Sequence, residues 1–199
     1  MLIAKANTEN SIEIFKRASA SSEPVIFSTD TIYGIGAPLS DIKANEKIFD
    51  IKGREKDKPF PVLISSVKQL DKIAVIENEM QKKVIERVWP GPVTLILKAR
   101  PDLNSLFTMN GTVGVRMPDK KWLRELIDYT GALSATSANR SGVDYVNDEN
   151  FIINNFSDLV NFYVIEQNSS ISSSAIIDIS QDTYKIIRNT ENTPDLNNL

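Results

Sequence analysis

Apolar residues along the chain switch repeatedly between a helical and a strand period. Ile12, Phe15 and Ala18 recur at helical spacing behind Asn7 and Thr8, either of which can cap a helix running to about Ala20. Pro24 then precedes the β-branched run Val25-Ile26-Phe27, the first clear strand. Ala44, Ile48 and Ile51 make one face of a second helix that opens at Ser40 or Asp41 and stops near Gly53. Residues 60–65 read as a strand, Ser66-Val67-Lys68-Gln69 as a capping box starting a short helix, and Met80, Val84 and Val88 as the stripe of a helix ending before Pro90. Further strands are predicted at 93–98, 112–116, 133–135, 162–165 and 175–179. Trp122, Leu123, Leu126 and Ile127 mark a helix closed by Gly131, and Asp148 begins another reaching Phe156. Residues 1–6 form a short edge strand, and 191–199 a polar, flexible tail.

Strands alternating with helices predict an α/β fold. The 199 residues are 41% hydrophobic, ample for one core, so a single domain over 1–190 suffices. A net charge of −3 speaks against a protein that lives by non-specific phosphate binding. With no cysteine, disulfides, thiolate metal sites and thiol nucleophiles are excluded. With no histidine, so are the Ser-His-Asp triad and the commonest general base. Chemistry must run on carboxylates, hydroxyls, cations, backbone groups or a borrowed metal. No apolar run approaches membrane-spanning length, and the expected location is the cytoplasm.

Polar residues gather where strands end. After Val25-Ile26-Phe27 come Ser28, Thr29, Asp30, Thr31 and Tyr33, beside the flexible backbone of Gly34 and Gly36, and strand ends of α/β proteins face the binding crevice. Lys52, Arg54, Lys56 and Lys58 crowd the end of the next helix; they are either a capped terminus with a solvated charge run or half of an anion site. If Val113 and Val115 face the core, Thr112, Gly114 and Arg116 share the opposite face. The loop from Thr136 to Gly142, including Ser137 and Asn139, is an ordinary Ser/Asn turn or a set of short donors for phosphate and sugar oxygens. Trp89-Pro90-Gly91-Pro92 is a rigid elbow in which Trp89 packs.

Five stretches in order resemble the YrdC/TsaC family: Ser28 to Ala37, Lys52-Gly53-Arg54 with Lys58-Pro59, Trp89 to Leu95, Val115 to Pro118, and Ser137 to Gly142. Ser174 to Asp178 and Tyr184 to Arg188 resemble the family's final strands, so the resemblance spans about 25–188. Three departures stand out: Ser28 where proline is common, Glu166-Gln167-Asn168 where Asp-Gly-Gly is common, and Asn189-Thr190 where Pro-Gly follows the last arginine. The resemblance implies a YrdC-like twisted mixed β-sheet flanked by helices, in the short, single-domain form.

It also implies an activity: threonylcarbamoyl-AMP synthesis from L-threonine, bicarbonate and ATP, a nucleotidyl transfer serving threonylcarbamoyladenosine modification of tRNA beside the anticodon. On that basis Lys52 and Arg54 are the candidate catalytic cations. Lys52, Arg54, Lys58, Thr112, Ser137, Asn139 and Arg188 would bind ATP, and Thr31, Arg116 and Ser174 would bind threonine. Asp30 and Tyr33 either orient that pocket or are structural. Magnesium is expected with ATP, carried by phosphates and water. The partners implied are tRNA-modification proteins that accept the product. Two alternatives stay open: a paralogue that adenylates another carbamoyl compound, and a binding module for tRNA or double-stranded RNA. The segment 167–173 is a candidate lid.

Overall fold

A computed structural model describes residues 1–55, 59–166 and 172–196. In chain order the elements are β1 (Leu2–Lys5), α1 (Thr8–Ala20), β2 (Val25–Phe27), β3 (Gly34–Gly36), α2 (Ile42–Lys52), β4 (Val62–Leu63), α3 (Val67–Leu70), β5 (Ala74–Val75) and α4 (Glu79–Val88). They continue as β6 (Val93–Ala99), β7 (Thr112–Arg116), α5 (Lys121–Thr130), β8 (Leu133–Ser134), β9 (Thr136–Ser137), α6 (Glu149–Phe156), β10 (Phe162–Ile165), β11 (Ala175–Asp178) and β12 (Lys185–Arg188).

The mixed α/β architecture is as expected, but the strands divide over two sheets. The first runs β1-β10-β2-β3-β9, the second β12-β11-β6-β7-β4-β8, with β5 also paired to β6. Parallel and antiparallel pairs occur in both. The first sheet is covered on both faces. Ile26 and Tyr163 pack with Ile48, Phe49, Ile152 and Phe156 of α2 and α6, while Val25, Phe27 and Val164 pack with Phe15 of α1 and Leu123, Leu126 and Ile127 of α5. Burial on both faces is why β2 and β10 are continuous apolar runs rather than alternating ones. The second sheet sets Leu95, Leu97, Val113, Val115 and Ile177 against Leu70, Val84 and Val88 of α3 and α4.

The two sheets meet where the chain passes from β8 to β9 through Ala135 alone. β3 approaches this junction closely, with the Ser134 N–H donating to the Ala37 carbonyl at 2.9 Å. A Cβ on Gly36 would lie 1.9 Å from the Ser134 carbonyl oxygen, so only glycine fits.

Local chemistry explains most element ends. The Asn7 and Asp41 side chains accept from Asn10 N and Ala44 N, capping α1 and α2, and Gly53 closes α2 in the left-handed region at φ 60°. The capping box expected at Ser66 is not formed; Gln69 Oε1 accepts instead from Ser65 N at 3.0 Å. A capping box is present at Asn78 and Gln81 on α4. The strand expected over 60–65 shrinks to two residues behind Pro59 and Pro61, neither of which can donate to a ladder. Trp89 packs, as expected, with its Nε1 donating to the Val93 carbonyl at 2.7 Å. The last described turn docks rather than hanging free: Leu196 is buried in the core of the second sheet.

Candidate functional site

A cavity of about 540 Å³ opens where the strand ends of both sheets converge. The first sheet contributes Thr29, Thr31, Tyr33 and Gly34 from the end of β2 and the start of β3. The second contributes Thr94 and Ile96 of β6, Thr112, Gly114 and Arg116 of β7, Ser174 and Ile176 at β11, and Arg188 of β12. Thr136 and Ser137 come from the junction between the sheets, and Arg54 and Tyr145 also line the cavity. The alternation expected of β7 holds: Thr112, Gly114 and Arg116 line the cavity, while Val113 and Val115 are buried in the core.

Arg116 is 6% exposed, and its fork is held on three sides. Nε donates to the Gly91 carbonyl at 3.2 Å, Nη1 to Thr31 Oγ1 at 2.8 Å, and Nη2 to the Asp30 carboxylate. The other Asp30 oxygen accepts from the Asp119 backbone N–H at 3.0 Å. Asp30 therefore orients the pocket through Arg116. The elbow also has a role, since it carries the Gly91 carbonyl, and Gly91 N in turn donates to the Met117 carbonyl at 2.8 Å. Thr31 is braced by Thr29, with the two hydroxyls 3.0 Å apart.

Arg188 donates from Nε and Nη2 to the Ser174 carbonyl at 2.9 and 2.7 Å, and from Nη2 to Ser174 Oγ at 3.2 Å. Ser174 Oγ is itself 2.9 Å from Thr94 Oγ1. Burial first, and the Arg116 charge second, pull the Arg188 guanidinium below its ordinary range. An anion between two such cations would relieve that repulsion and be favoured by both.

Two predicted nucleotide residues lie behind the lining rather than in it. Lys52 is 3% exposed and donates to the backbone carbonyls of Ser137 and Asn139, the latter at 2.6 Å. Asn139 Oδ1 accepts from Ser137 Oγ at 2.5 Å, and its Nδ2 donates to the Val143 carbonyl at 2.6 Å. Burial and then the Arg54 charge lower the Lys52 ammonium from 10.5 to about 8. Arg54 lies over the Phe60 ring, 5.4 Å from its centre. Thr112 lines the cavity, and its hydroxyl donates to the Met109 carbonyl at 2.8 Å. Lys58 and most of the candidate lid lie outside the described residues.

Four contributors are absent from the sequence reading. Thr94 could have been found, because period-two alternation on β6 turns it the same way as Ile96 and opposite to Leu95 and Leu97. Tyr145, Lys120 and Glu166 carry no local signal, because their partners are distant in sequence. The Tyr145 hydroxyl accepts from Tyr33 N at 2.9 Å and donates to Asn147 Oδ1 at 3.0 Å, and burial raises its pKa to about 12. Lys120 donates to the Thr29 carbonyl at 3.1 Å and pairs with Glu166. Glu166 also accepts from Trp122 Nε1 at 3.1 Å, and its carbonyl accepts from the Tyr33 hydroxyl at 2.7 Å. Among the described residues no group of three or more acidic side chains could hold a metal ion.

The chain and its fold have relatives. A family model for Sua5, YciO and YrdC, described as telomere recombination, matches residues 18–190. A relative from Methanocaldococcus jannaschii is 37% identical over 131 residues, covering 66% of this chain and 61% of its own length. The threonylcarbamoyl-AMP synthase of Bacillus subtilis is 40% identical over 124 residues, covering 61% of this chain and 36% of its own. The chain thus spans less than two thirds of either relative. The crystal structure of Pyrococcus abyssi Sua5 complexed with L-threonine superposes with a TM-score of 0.84 at 27% identity, covering 94% of this chain and 57% of that one. With the family model matching most of its length, the chain belongs to the Sua5/YciO/YrdC family.

Proposed function

We propose that this protein is a threonylcarbamoyl-AMP synthase, a nucleotidyltransferase acting on L-threonine, bicarbonate and ATP. The observation that carries this reading is the pair of guanidiniums, Arg116 braced by Asp30 and Thr31, and Arg188 braced by Ser174, at one cavity beside a hydroxyl-lined junction. The relatives' names and the threonine complex of P. abyssi Sua5 support it.

Threonine's amine and bicarbonate combine, with loss of water, into an N-carboxylate. One of its oxygens attacks the α-phosphorus of ATP, and pyrophosphate leaves. The nucleophile is weak and both reactants are anions, so the protein's task is to hold them together and offset their charge. Neither histidine nor cysteine is needed for that. Arg116 pairs with the threonine carboxylate, and Thr31 and Ser174 offer hydroxyls to its polar groups. Arg54, Thr112, Ser137 and Arg188 face the nucleotide, with Asn139 shaping Ser137, and Lys58 is a further candidate cation for its phosphates. Asp30 is the carboxylate beside Arg116 and is already engaged, so these residues offer magnesium no ready seat, and the ion would enter on the phosphates of ATP. The product would pass to tRNA-modification proteins in the cytoplasm.

Pyrophosphate release from Mg-ATP and bicarbonate tests the proposal, comparing L-threonine with serine and with no amino acid. Release that needs threonine and bicarbonate, and that falls at least about a hundredfold in Arg54→Ala through loss of charge-assisted phosphate contacts, is expected. No release from folded protein under any of these conditions would overturn it.

A further inference from the structure

The Lys-Gly-Arg motif invites one role for both of its cations, gripping phosphate. The geometry points to a different role for Lys52: it is a positioning residue that fixes the Ser137 to Val143 loop from beneath, and it does not touch the nucleotide. This deepens the nucleotide-site reading above and rests on it only for the kinetic part of the test.

An ammonium has three N–H donors and no acceptor. Three oxygens surround Lys52 Nζ: the Ser137 carbonyl, the Asn139 carbonyl at 2.6 Å and, more weakly, Asn139 Oδ1 at 3.4 Å. Its donors are matched to the loop, the side chain is 3% exposed, and it is absent from the cavity lining that includes Arg54 and Ser137. The stitching runs in the other direction as well, because the Lys52 backbone carbonyl accepts from Ser141 N at 2.9 Å. Asn139 then ties the loop to itself through Ser137 Oγ and the Val143 carbonyl. The end of α2 and the loop thus form one unit, whose cavity-facing product is the position of Ser137.

The seat suits a lysine head and not an arginine fork. A planar guanidinium keeps the charge, but its five donors diverge in a wide fork and cannot converge on three oxygens around one point. Arginine would therefore replace a phosphate-gripping lysine far better than it would replace this one. The neutral amine keeps two donors for the same oxygens. Burial and the neighbouring Arg54 bring that neutral form within reach of mildly alkaline pH. Other charged or titratable groups on the adjoining segments include Asp50 in the last turn of α2, Glu55 after it, Arg140 and Asp144 on the loop, Tyr33 behind it, and Tyr145, which burial pushes up to about 12.

The test is amide hydrogen exchange in the nucleotide-free protein, with kinetics beside it. Lys52→Met and Lys52→Arg are both expected to speed exchange at Ser141 and Val143 while leaving α5 unchanged. Both should raise the KM for ATP by roughly tenfold, about the worth of one charge-assisted hydrogen bond, with saturating kcat within a few-fold of wild type. In wild-type protein, exchange at the same amides, corrected for intrinsic base catalysis, should fall relative to α5 between pH 8 and 9.5, because an opening that returns Lys52 to water takes up a proton. This measurement holds even where a variant fails to fold. Unchanged loop exchange in Lys52→Met, retained nucleotide affinity in Lys52→Arg, or a flat corrected pH profile would each overturn the assignment. If no pyrophosphate is released at all, the synthase reading fails, while the exchange measurements still decide the role of Lys52.

Discussion

Arg116 spends three of a guanidinium's five donors on Gly91, Thr31 and Asp30, leaving two for a ligand. The pair it makes with Asp30 is nearly dry, with side chains 7% and 11% exposed. Arg116→Ala would leave that carboxylate with the Asp119 N–H for company, so urea denaturation should show a loss of about 3–5 kcal/mol. Asp30→Asn keeps an acceptor toward Arg116 and should lose about half as much or less. Equal losses would show that the pair is not what holds the strand end. Lys52 gives a pH dependence of the opposite kind from a salt bridge. Its folded pKa, about 8, lies below the 10.5 of the free side chain, so between these values the unfolded chain binds more protons, and stability rises with pH. The gain in full is about 3 kcal/mol, present above 10.5 and lost as pH falls through 8. Chemical denaturation of wild type against Lys52→Met across pH 7 to 10.5 checks it; parallel curves would refute the shift. Alternation on β7 put Arg116 on the face opposite the core, and the family resemblance made it a site candidate. Its partnership with Asp30, 86 positions away, was not, because no local periodicity encodes a contact between strands of different sheets.

Among the elements, those governed by neighbours in sequence were readable and those governed by the junction were not. The helices α1, α2 and α4 to α6 follow from apolar spacing and from caps such as Asn7, Asp41 and Gly53. The Ser66 box failed because the Gln69 side chain found a nearer donor at Ser65 N. The split into two sheets was hidden for a related reason. β8 and β9 are short strands separated by a single residue, and nothing in their composition says that they belong to different sheets. Gly36 marks the place physically. Gly36→Ala drives a methyl into the Ser134 carbonyl and should cost about 3 kcal/mol, lowering the melting temperature by roughly 6–12 °C. Gly53→Ala meets no atom within 4 Å and pays only for its left-handed φ, about 1 kcal/mol. If calorimetry finds the two substitutions equivalent, the close approach of β3 to β8 is not what requires the glycine.

For the whole molecule, the consequence of two sheets is that the cavity belongs to neither. Thr31 and Ser137 reach it from the first, Arg116, Ser174 and Arg188 from the second, and only Ala135 joins β8 to β9. A ligand that engages both sides adds cross-links to those that Arg116 makes to Asp30 and Thr31 across the cavity. Filling the site should therefore stabilise the joint more than it stabilises either sheet. A substrate at a hundredfold excess over its Kd contributes about 2.7 kcal/mol by mass action, or roughly 5–10 °C in melting temperature for a domain of this size. The distribution of that gain is the sharper observable. With L-threonine and a non-hydrolysable ATP analogue together, amide exchange should slow at Thr31 and Gly34 in the first sheet and at Arg116 and Ile176 in the second, by similar factors. The helices α1 and α4, which face away from the cavity into separate parts of the core, should change little. Protection confined to one sheet would mean that the ligands occupy one wall, and that they do not bridge Thr31 and Ser137 of the first sheet to Arg116, Ser174 and Arg188 of the second.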